Sequence, residues 1–387
     1  MTVRKILFWM HLAAGCIAGA VVLVMSVTGL LLTYERQMLA RADRGLYKET
    51  PRAGAVRLTM DELLERLSPV PGGLGPNRTL VVRSELAAPV EVSLGREGAL
   101  FASPYDGRVL GRGNSELRQS FQKITAWHRW LGMEGEGREV AKAITGASNL
   151  AFLFLVVSGV YLWLPKVWSR QHLRPIVWFK GGVSGKARDF NWHNTFGLWA
   201  SVPLLIVVAS AVPMSYTWGN RLVYWITGSE APAERGQTKG GGRKQAGKRA
   251  APAEARAERY EGPSLNLAWQ RAEQQTAGWQ SLSMRLPEKG ATEVSVTIDS
   301  GDGGQPQLRE TLLIDTATGQ IKKRERYGDG SAGRRLRTWS RFAHTGEYYG
   351  LIGQTVAGAA SLAGVLLVWT GISLSLRRWA GWRRRQG

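Results

Sequence analysis

"ILFWMHLAAGCIAGAVVLVMSVTGLLLTYE", residues 6–35, carries one histidine, His11, and then runs without a charge until Glu35. A helix needs about 20 such residues to cross the hydrocarbon core of a bilayer. Three more stretches reach that length, so the candidate spans are 8–34, 144–164, 195–218 and 351–376. The fold class that follows is an integral membrane protein, mainly α: a four-transmembrane-helix bundle with two long polar segments between its spans. The first apolar run is longer than a signal-peptide core, and charged residues separate it from the cleavage-like "LARA". It reads as a retained span.

The same opening stretch recurs. Laying His11 on His193, an offset of 182, aligns the first and third spans without a gap: Gly15 meets Gly197, Thr28 meets Ser210, and Tyr34 meets Tyr216. The polar segments match as well. "LTMDELLERL" and "LNLAWQRAEQQ" have the period of amphipathic helices. Each is followed by alternating runs, "TLVVRS", "APVEVSLG" and "ALFASPYDGRVLGR" in one, "SLSMRLP", "TEVSVTID" and "ETLLIDTATGQIKKRERY" in the other. That alternation predicts small antiparallel sheets, each with a helix on it. Near the span ends, "SGVYLWLPKVW" aligns with "TGISLSLRRW". The chain therefore reads as two tandem repeats of span, α+β module, histidine and span, related by an axis along the membrane normal.

The expected divisions are span 1 (1–34), a first outer module with an interfacial helix (35–140), span 2 (141–165) and a basic inner loop (166–192). Span 3 (193–218), a second outer module (219–343), span 4 (344–376) and a basic tail (377–387) complete the chain. The insert at 232–259, rich in Gly, Lys, Arg and Ala, reads as disordered. A net charge of +21 invites a nucleic-acid partner. Its distribution argues instead for membrane topology, because the N-terminus, the 166–192 loop and the tail are all basic and fall on one side. That side is the cytoplasm, and the two modules then face the periplasm of a bacterial inner membrane. Lipid is the expected surrounding, and no nucleic acid is expected.

Of five histidines, four are matched across the repeat. His11 and His193 begin inward-to-outward spans. His128, in "LRQSFQKITAWHRWLG", and His344, in "LRTWSRFAHTGEYYG", precede outward-to-inward spans. A twofold axis brings each pair together from opposite sides of one object. Neutral imidazole is the commonest metal ligand, and a planar macrocycle with two axial positions suits two imidazoles, whereas bare zinc or copper wants three or four ligands. The expectation is two b-type haems, with His11 and His193 holding the inner one and His128 and His344 the outer one. Arg129 and Arg341 stand close enough in sequence to pair with the outer propionates. His128 must sit on an amphipathic helix that folds back to the bilayer. The fifth histidine, His172, has no counterpart and reads as a loop residue. The single cysteine, Cys16, lies within a span, which leaves no disulfide framework and no thiolate metal site. The competing reading is that these histidines are structural.

"ILFWMHLAAGCIAGAVVLVMSVTGLLLTYE", "WHRWLG", "NWHNTFGLWA" and "FAHTGEYYGLIGQ", in this order, resemble the PepSY-associated transmembrane family. The resemblance covers nearly the whole chain outside the insert. It implies PepSY-like periplasmic modules and a dihaem protein ligated by the four matched histidines. It also implies reduction of ferric siderophores, since inner-membrane ferric-siderophore reductases belong to that family. Nothing after "WRRRQG" supplies a flavin or nicotinamide unit, so the electron donor is expected to be a separate cytoplasmic protein, a free reduced flavin or a membrane quinol. Two other readings stand beside it: a non-enzymatic scaffold binding or inhibiting a periplasmic partner, and an electron conduit to another periplasmic enzyme. A transporter fits less well, because no span carries an intramembrane charge.

Overall fold

A computed structural model gives the protein's structure and describes residues 2–46, 54–70, 74, 78–95, 98–165, 168–232 and 260–386. Nearly all of the 232–259 insert lies outside the described residues. Eleven helices and eight strands occur among those described. The helices are α1 (Val3–Leu32), α2 (Glu35–Asp43), α3 (Met60–Leu67), α4 (Ser115–Trp130), α5 (Gly137–Trp163) and α6 (Arg170–Val177). They continue with α7 (Gly185–Ser215), α8 (Thr217–Ile226), α9 (Asn266–Gln275), α10 (Ala332–His344) and α11 (Gly350–Arg383). The strands are β1 (Thr79–Arg83), β2 (Val90–Ser93), β3 (Ala99–Ala102), β4 (Val109–Arg112), β5 (Ser281–Arg285), β6 (Glu293–Asp299), β7 (Arg309–Asp315) and β8 (Ile321–Arg326). Two compact units result, one from Met1–Glu35, Ser120–Ile226 and Leu336–Gly387, the other from Arg36–Gln119 and Thr227–Arg335.

The first unit holds the four helices that are long and apolar enough to cross a membrane. Each packs against two others: α1 against α5 and α11, and α7 against α5 and α11. So α1 and α7 face each other across the ring. Lipid gives no hydrophobic drive between spans, and close approach of small residues supplies van der Waals contact instead. Helix α1 buries Ala18, Gly19, Val22 and Ser26, and α11 buries Ala357, Ala360, Ala363 and Gly364. A Cβ on Gly364 would lie 2.8 Å from the Ser26 hydroxyl. Gly364→Val is therefore expected to push α1 off α11 and cost about 1–3 kcal/mol, read as earlier thermal unfolding in detergent. The apolar helices all start earlier than the spans 8–34, 144–164, 195–218 and 351–376, and α11 runs on to Arg383, while α1 and α7 stop short at Leu32 and Ser215. Helix α7 begins at Gly185 rather than 193, drawing "GKARDFNW" into the helix, and it stays one helix despite Pro203 and Pro213.

The second unit corrects one expectation. The polar segments do not form two separate α+β modules; their strands share one antiparallel sheet in the order β4-β3-β2-β1-β5-β6-β7-β8. The junction is β1 against β5, in register from Thr79–Arg285 to Arg83–Ser281. Alternation puts Leu80, Val82, Leu282, Met284, Val296, Ile298, Leu312 and Ile314 in one core, as period-two strands require, together with Leu63, Leu64 and Leu67 of α3 and Ala268, Trp269 and Ala272 of α9. The two helices also serve each other's ends. Asp61 of α3 accepts hydrogen bonds from the Leu265 amide (2.8 Å) and the Ser264 hydroxyl, while Asn266 of α9 accepts one from the Asp61 amide (2.9 Å). Each four-stranded half would expose an unpaired edge strand, β1 or β5, and pairing them removes both edges.

Candidate functional site

All four matched histidines lie in the helical unit. The apolar runs of α1 and α7 place His11 and His193 within those helices, two turns or so from their starts. His128 and His344 stand at the last turns of α4 and α10. The amphipathic pattern of "SFQKITAWHRW" produces the helix that returns His128 to the bundle, where its ring lies 3.4 Å from the position of a Cβ on Gly29 of α1.

A hydrogen bond at Nδ1 holds every ring, and the partner of that bond assigns its tautomer. His11 Nδ1 is 2.9 Å from Ser158 Oγ, and that hydroxyl donates its one proton to the Phe154 carbonyl at 2.6 Å. With that proton on the carbonyl, the imidazole is the donor. His193 Nδ1 meets Thr370 Oγ1 at 2.9 Å, and Thr370 donates to Leu366 at 2.7 Å. His128 Nδ1 meets Thr28 Oγ1 at 2.9 Å, with Thr28 donating to Val24 at 2.6 Å. His344 Nδ1 lies 2.7 Å from the Val207 carbonyl, which only accepts. Every Nδ1 is thus an N–H donor, and every Nε2 carries a lone pair. Metal-bound histidines show this arrangement, the second nitrogen donating to an acceptor that orients the ring. Ser158 and Thr370 each precede a glycine, Gly159 and Gly371, whose Cβ positions lie 3.4 Å from His11 and His193 Cε1. Both pairs belong to the aligned "SG" and "TG" of the span ends.

His11 and His193 line a cavity of about 830 Å³ between α1, α5, α7 and α11. Its walls are mostly apolar, with Leu12, Phe152, Leu155, Val156 and Leu367 among them, while Arg4, Lys5, Lys186 and Arg378 stand at it as cations. A volume of this size holds a large planar ligand. The rings of the other pair are neighbours. The His128 and His344 ring centroids are 6.2 Å apart with a 54° angle between planes. A metal–imidazole bond of about 2 Å on each side sets two centroids roughly 6 Å apart. Burial, then the neighbouring His344 imidazole, lowers the His128 pKa to about 4, which keeps that ring in the neutral form that binds metal. No group of three or more His, Cys, Asp or Glu suited to a metal ion occurs among the described residues, so the donor set fits a macrocycle better than a bare ion.

Arg129 and Arg341 are exposed, with their guanidinium groups over Trp130 (4.8 Å) and Phe342 (5.5 Å) respectively. Trp9, Trp127 and Trp199 are exposed and are not among the residues lining the cavity. The cations at the first pair went unnoticed in the sequence as site residues, although Arg4 and Lys186 correspond at the same offset of 182 that aligns the histidines. Arg4 also donates to the Leu162 and Leu164 carbonyls at 2.6 and 3.1 Å, and Arg378 lies over Phe8 and Trp9. Beside them Asp189, fully buried, accepts from Ser373 (2.6 Å) and pairs with Arg188 and Arg377. It stands one turn before His193, as Ser373 stands one turn after Thr370. The acid therefore fixes the register of α7 on α11. Asp189→Ala is expected to lower stability by about 1–3 kcal/mol, measured as the unfolding midpoint in detergent.

A family model described as the PepSY-associated TM region matches residues 8–378. No curated protein matches the sequence.

Proposed function

Because the chain belongs to the family of PepSY-associated TM regions, we propose that it is a dihaem electron-transfer protein that carries electrons across the inner membrane to reduce ferric siderophores. The observation that carries this reading is the pairing of the four histidines, each with Nδ1 engaged as a donor and Nε2 left with its lone pair. His11 and His193 would hold one haem and His128 and His344 the other. Haem held by two imidazoles supplies reversible one-electron chemistry and leaves no open position for oxygen.

The protein's part is to orient and insulate. Ser158, Thr370, Thr28 and the Val207 carbonyl keep each ring in one tautomer. All four acceptors are neutral, so none draws the imidazole toward imidazolate as a carboxylate would. Arg4, Lys5, Lys186 and Arg378 suit the propionates of the first haem, and the apolar walls exclude water. The basic N-terminus, 166–192 loop and tail support a cytoplasmic position for the first pair. The sheet unit, PepSY-like by the family's name, then faces the periplasm. A ferric siderophore is the acceptor in this reading, and the donor is a separate cytoplasmic carrier or quinol.

The test is spectroscopic. Purified protein is expected to carry about two haems per chain with a low-spin b-type spectrum. Dithionite-reduced protein is expected to reoxidise anaerobically when ferric chelates are added. Colourless protein from haem-replete cells overturns the reading and favours a scaffold. Ser158→Ala and Thr370→Val each remove an acceptor at Nδ1. Each is expected to weaken haem retention at the first pair by roughly 10–100-fold, read as loss of haem to apomyoglobin, with the second pair unchanged.

A further inference from the structure

Helix α10, "AGRRLRTWSRFAH", carries four arginines and no acidic residue. Its faces are sharply divided. Ser340 and Ala343 are buried, at 5% and 4% exposure, and Leu336 lies on the same side. Arg334, Arg337, Arg341 and His344 follow at the three- and four-residue spacings that make one row on a helix. Arg334 is engaged by Glu325 at 3.3 Å. Arg337 and Arg341 are exposed, and no carboxylate among the described residues pairs with either. The row ends at His344, whose ring meets that of His128.

Two physical points make this row informative. Like charges a turn apart repel, which costs helix stability unless an anion binds them. In the proposed topology α10 also lies on the outer side, immediately before the fourth span. Flanks of that kind are ordinarily poor in Lys and Arg, so topology does not account for the arginines.

We propose that the Arg337–Arg341 face of α10 docks the terminal acceptor and selects an anionic ferric chelate, one in which carboxylate or catecholate oxygens leave a net negative charge. The inference rests on the dihaem reading for its purpose but not for its binding step. Neighbouring arginines one turn apart, about 5–6 Å between Cβ atoms, match a compact multivalent anion. Guanidinium forks pair two-on-two with carboxylates. A cationic row also raises the local concentration of an anion and speeds its arrival. The row's end at His344 brings that anion toward the second imidazole pair.

The test uses full-length protein in nanodiscs of zwitterionic lipid, titrated calorimetrically with redox-inert gallium(III) chelates. Anionic gallium citrate and gallium tris-catecholate are expected to bind at least about ten-fold more tightly than a cationic gallium trihydroxamate at low salt. Half-molar salt is expected to remove most of that advantage. R337Q is expected to weaken the anionic chelates about three-fold or more and R337Q/R341Q about ten-fold. The single variant, a turn farther from the imidazoles, keeps the test independent of any haem contact by Arg341. Binding by the double variant equal to that of the unchanged protein, or no preference for the anionic chelates, overturns the proposal. So does a result in which, in parallel discs that contain phosphatidylglycerol, only binding of that lipid, and of neither chelate, responds to the substitutions. Chelate binding by a protein that holds no haem leaves the docking face standing and removes the reductase reading.

Discussion

His193→Ala is expected to halve the haem content, from about two per chain to one, and to abolish electron transfer across the bilayer. In the dihaem reading the effect is large because, among the described residues, His11 and His193 are the two imidazoles that line the cavity between α1, α5, α7 and α11, and His193 Nε2 would be one of the first haem's two ligands. His11 comes from α1 and His193 from α7, on opposite sides of one cavity whose described lining holds no third imidazole. Loss of an orienting acceptor costs roughly 10–100-fold in metal affinity, and loss of the ligand itself must exceed that. The remaining spectrum is expected to stay low-spin, because His128 and His344 keep their own partners, Thr28 and Val207. His344→Ala should give the complementary result, and His172→Ala should leave both haems in place. Haem content by pyridine haemochrome, with the spectrum of each variant, is the measurement. Two haems in His193→Ala would mean that the ligand pairing is wrong. Transfer across the membrane is read in vesicles with dithionite on one side and ferricyanide on the other.

The spans and the histidine pairs were legible in the sequence for a plain reason. Both depend on features that recur at a fixed offset, and a helix preserves spacing as geometry. His128 facing His344 was readable from "WHRWLG" and "FAHTGEYYG" although a polar stretch separates His128 from its span, because α4 is amphipathic enough to return. The polar acceptors were visible only as "SG" and "TG" in aligned span ends; that their hydroxyls meet imidazoles required coordinates. Arg4 and Lys186 were visible too, but the charge asymmetry of the chain ends explained them without a site. Asp189 is the lone acid of the basic 166–192 stretch, yet residues 185–192 of it are the first turns of α7, and only burial reveals its role. What the pattern misjudged was the partnership of strands. Alternation reports which side of a strand is apolar, but not which strand lies beside it. Residues 79–83 and 281–285 are too far apart in the chain for any local signal to join them.

That partnership yields the second large effect. Leu282→Asp is expected to unfold the strands of both polar segments together. Leu282 is fully buried in β5, opposite Val82 of β1 and Ile298 of β6. Removing a leucine from such a core costs about 2–5 kcal/mol. An unpaired carboxylate in its place adds several more or stays protonated at a similar penalty. The total rivals the whole stability of an ordinary domain, about 5–15 kcal/mol. Because α3, α9 and all the inward positions of β1, β2, β5, β6 and β7 share one core, neither half keeps a closed interior once β5 is lost, and β1 is left as a bare edge. Trypsin makes the outcome readable. Arg83 of β1 pairs with Ser281 and Arg285 of β5 with Thr79, at the two ends of the same junction, and both sites should open at one protease concentration in Leu282→Asp. Two independent modules would instead release Arg285 while Arg83 stayed protected. Leu282→Val, which keeps the site apolar and removes one methylene, is expected to cost only about 1 kcal/mol and leave both sites closed.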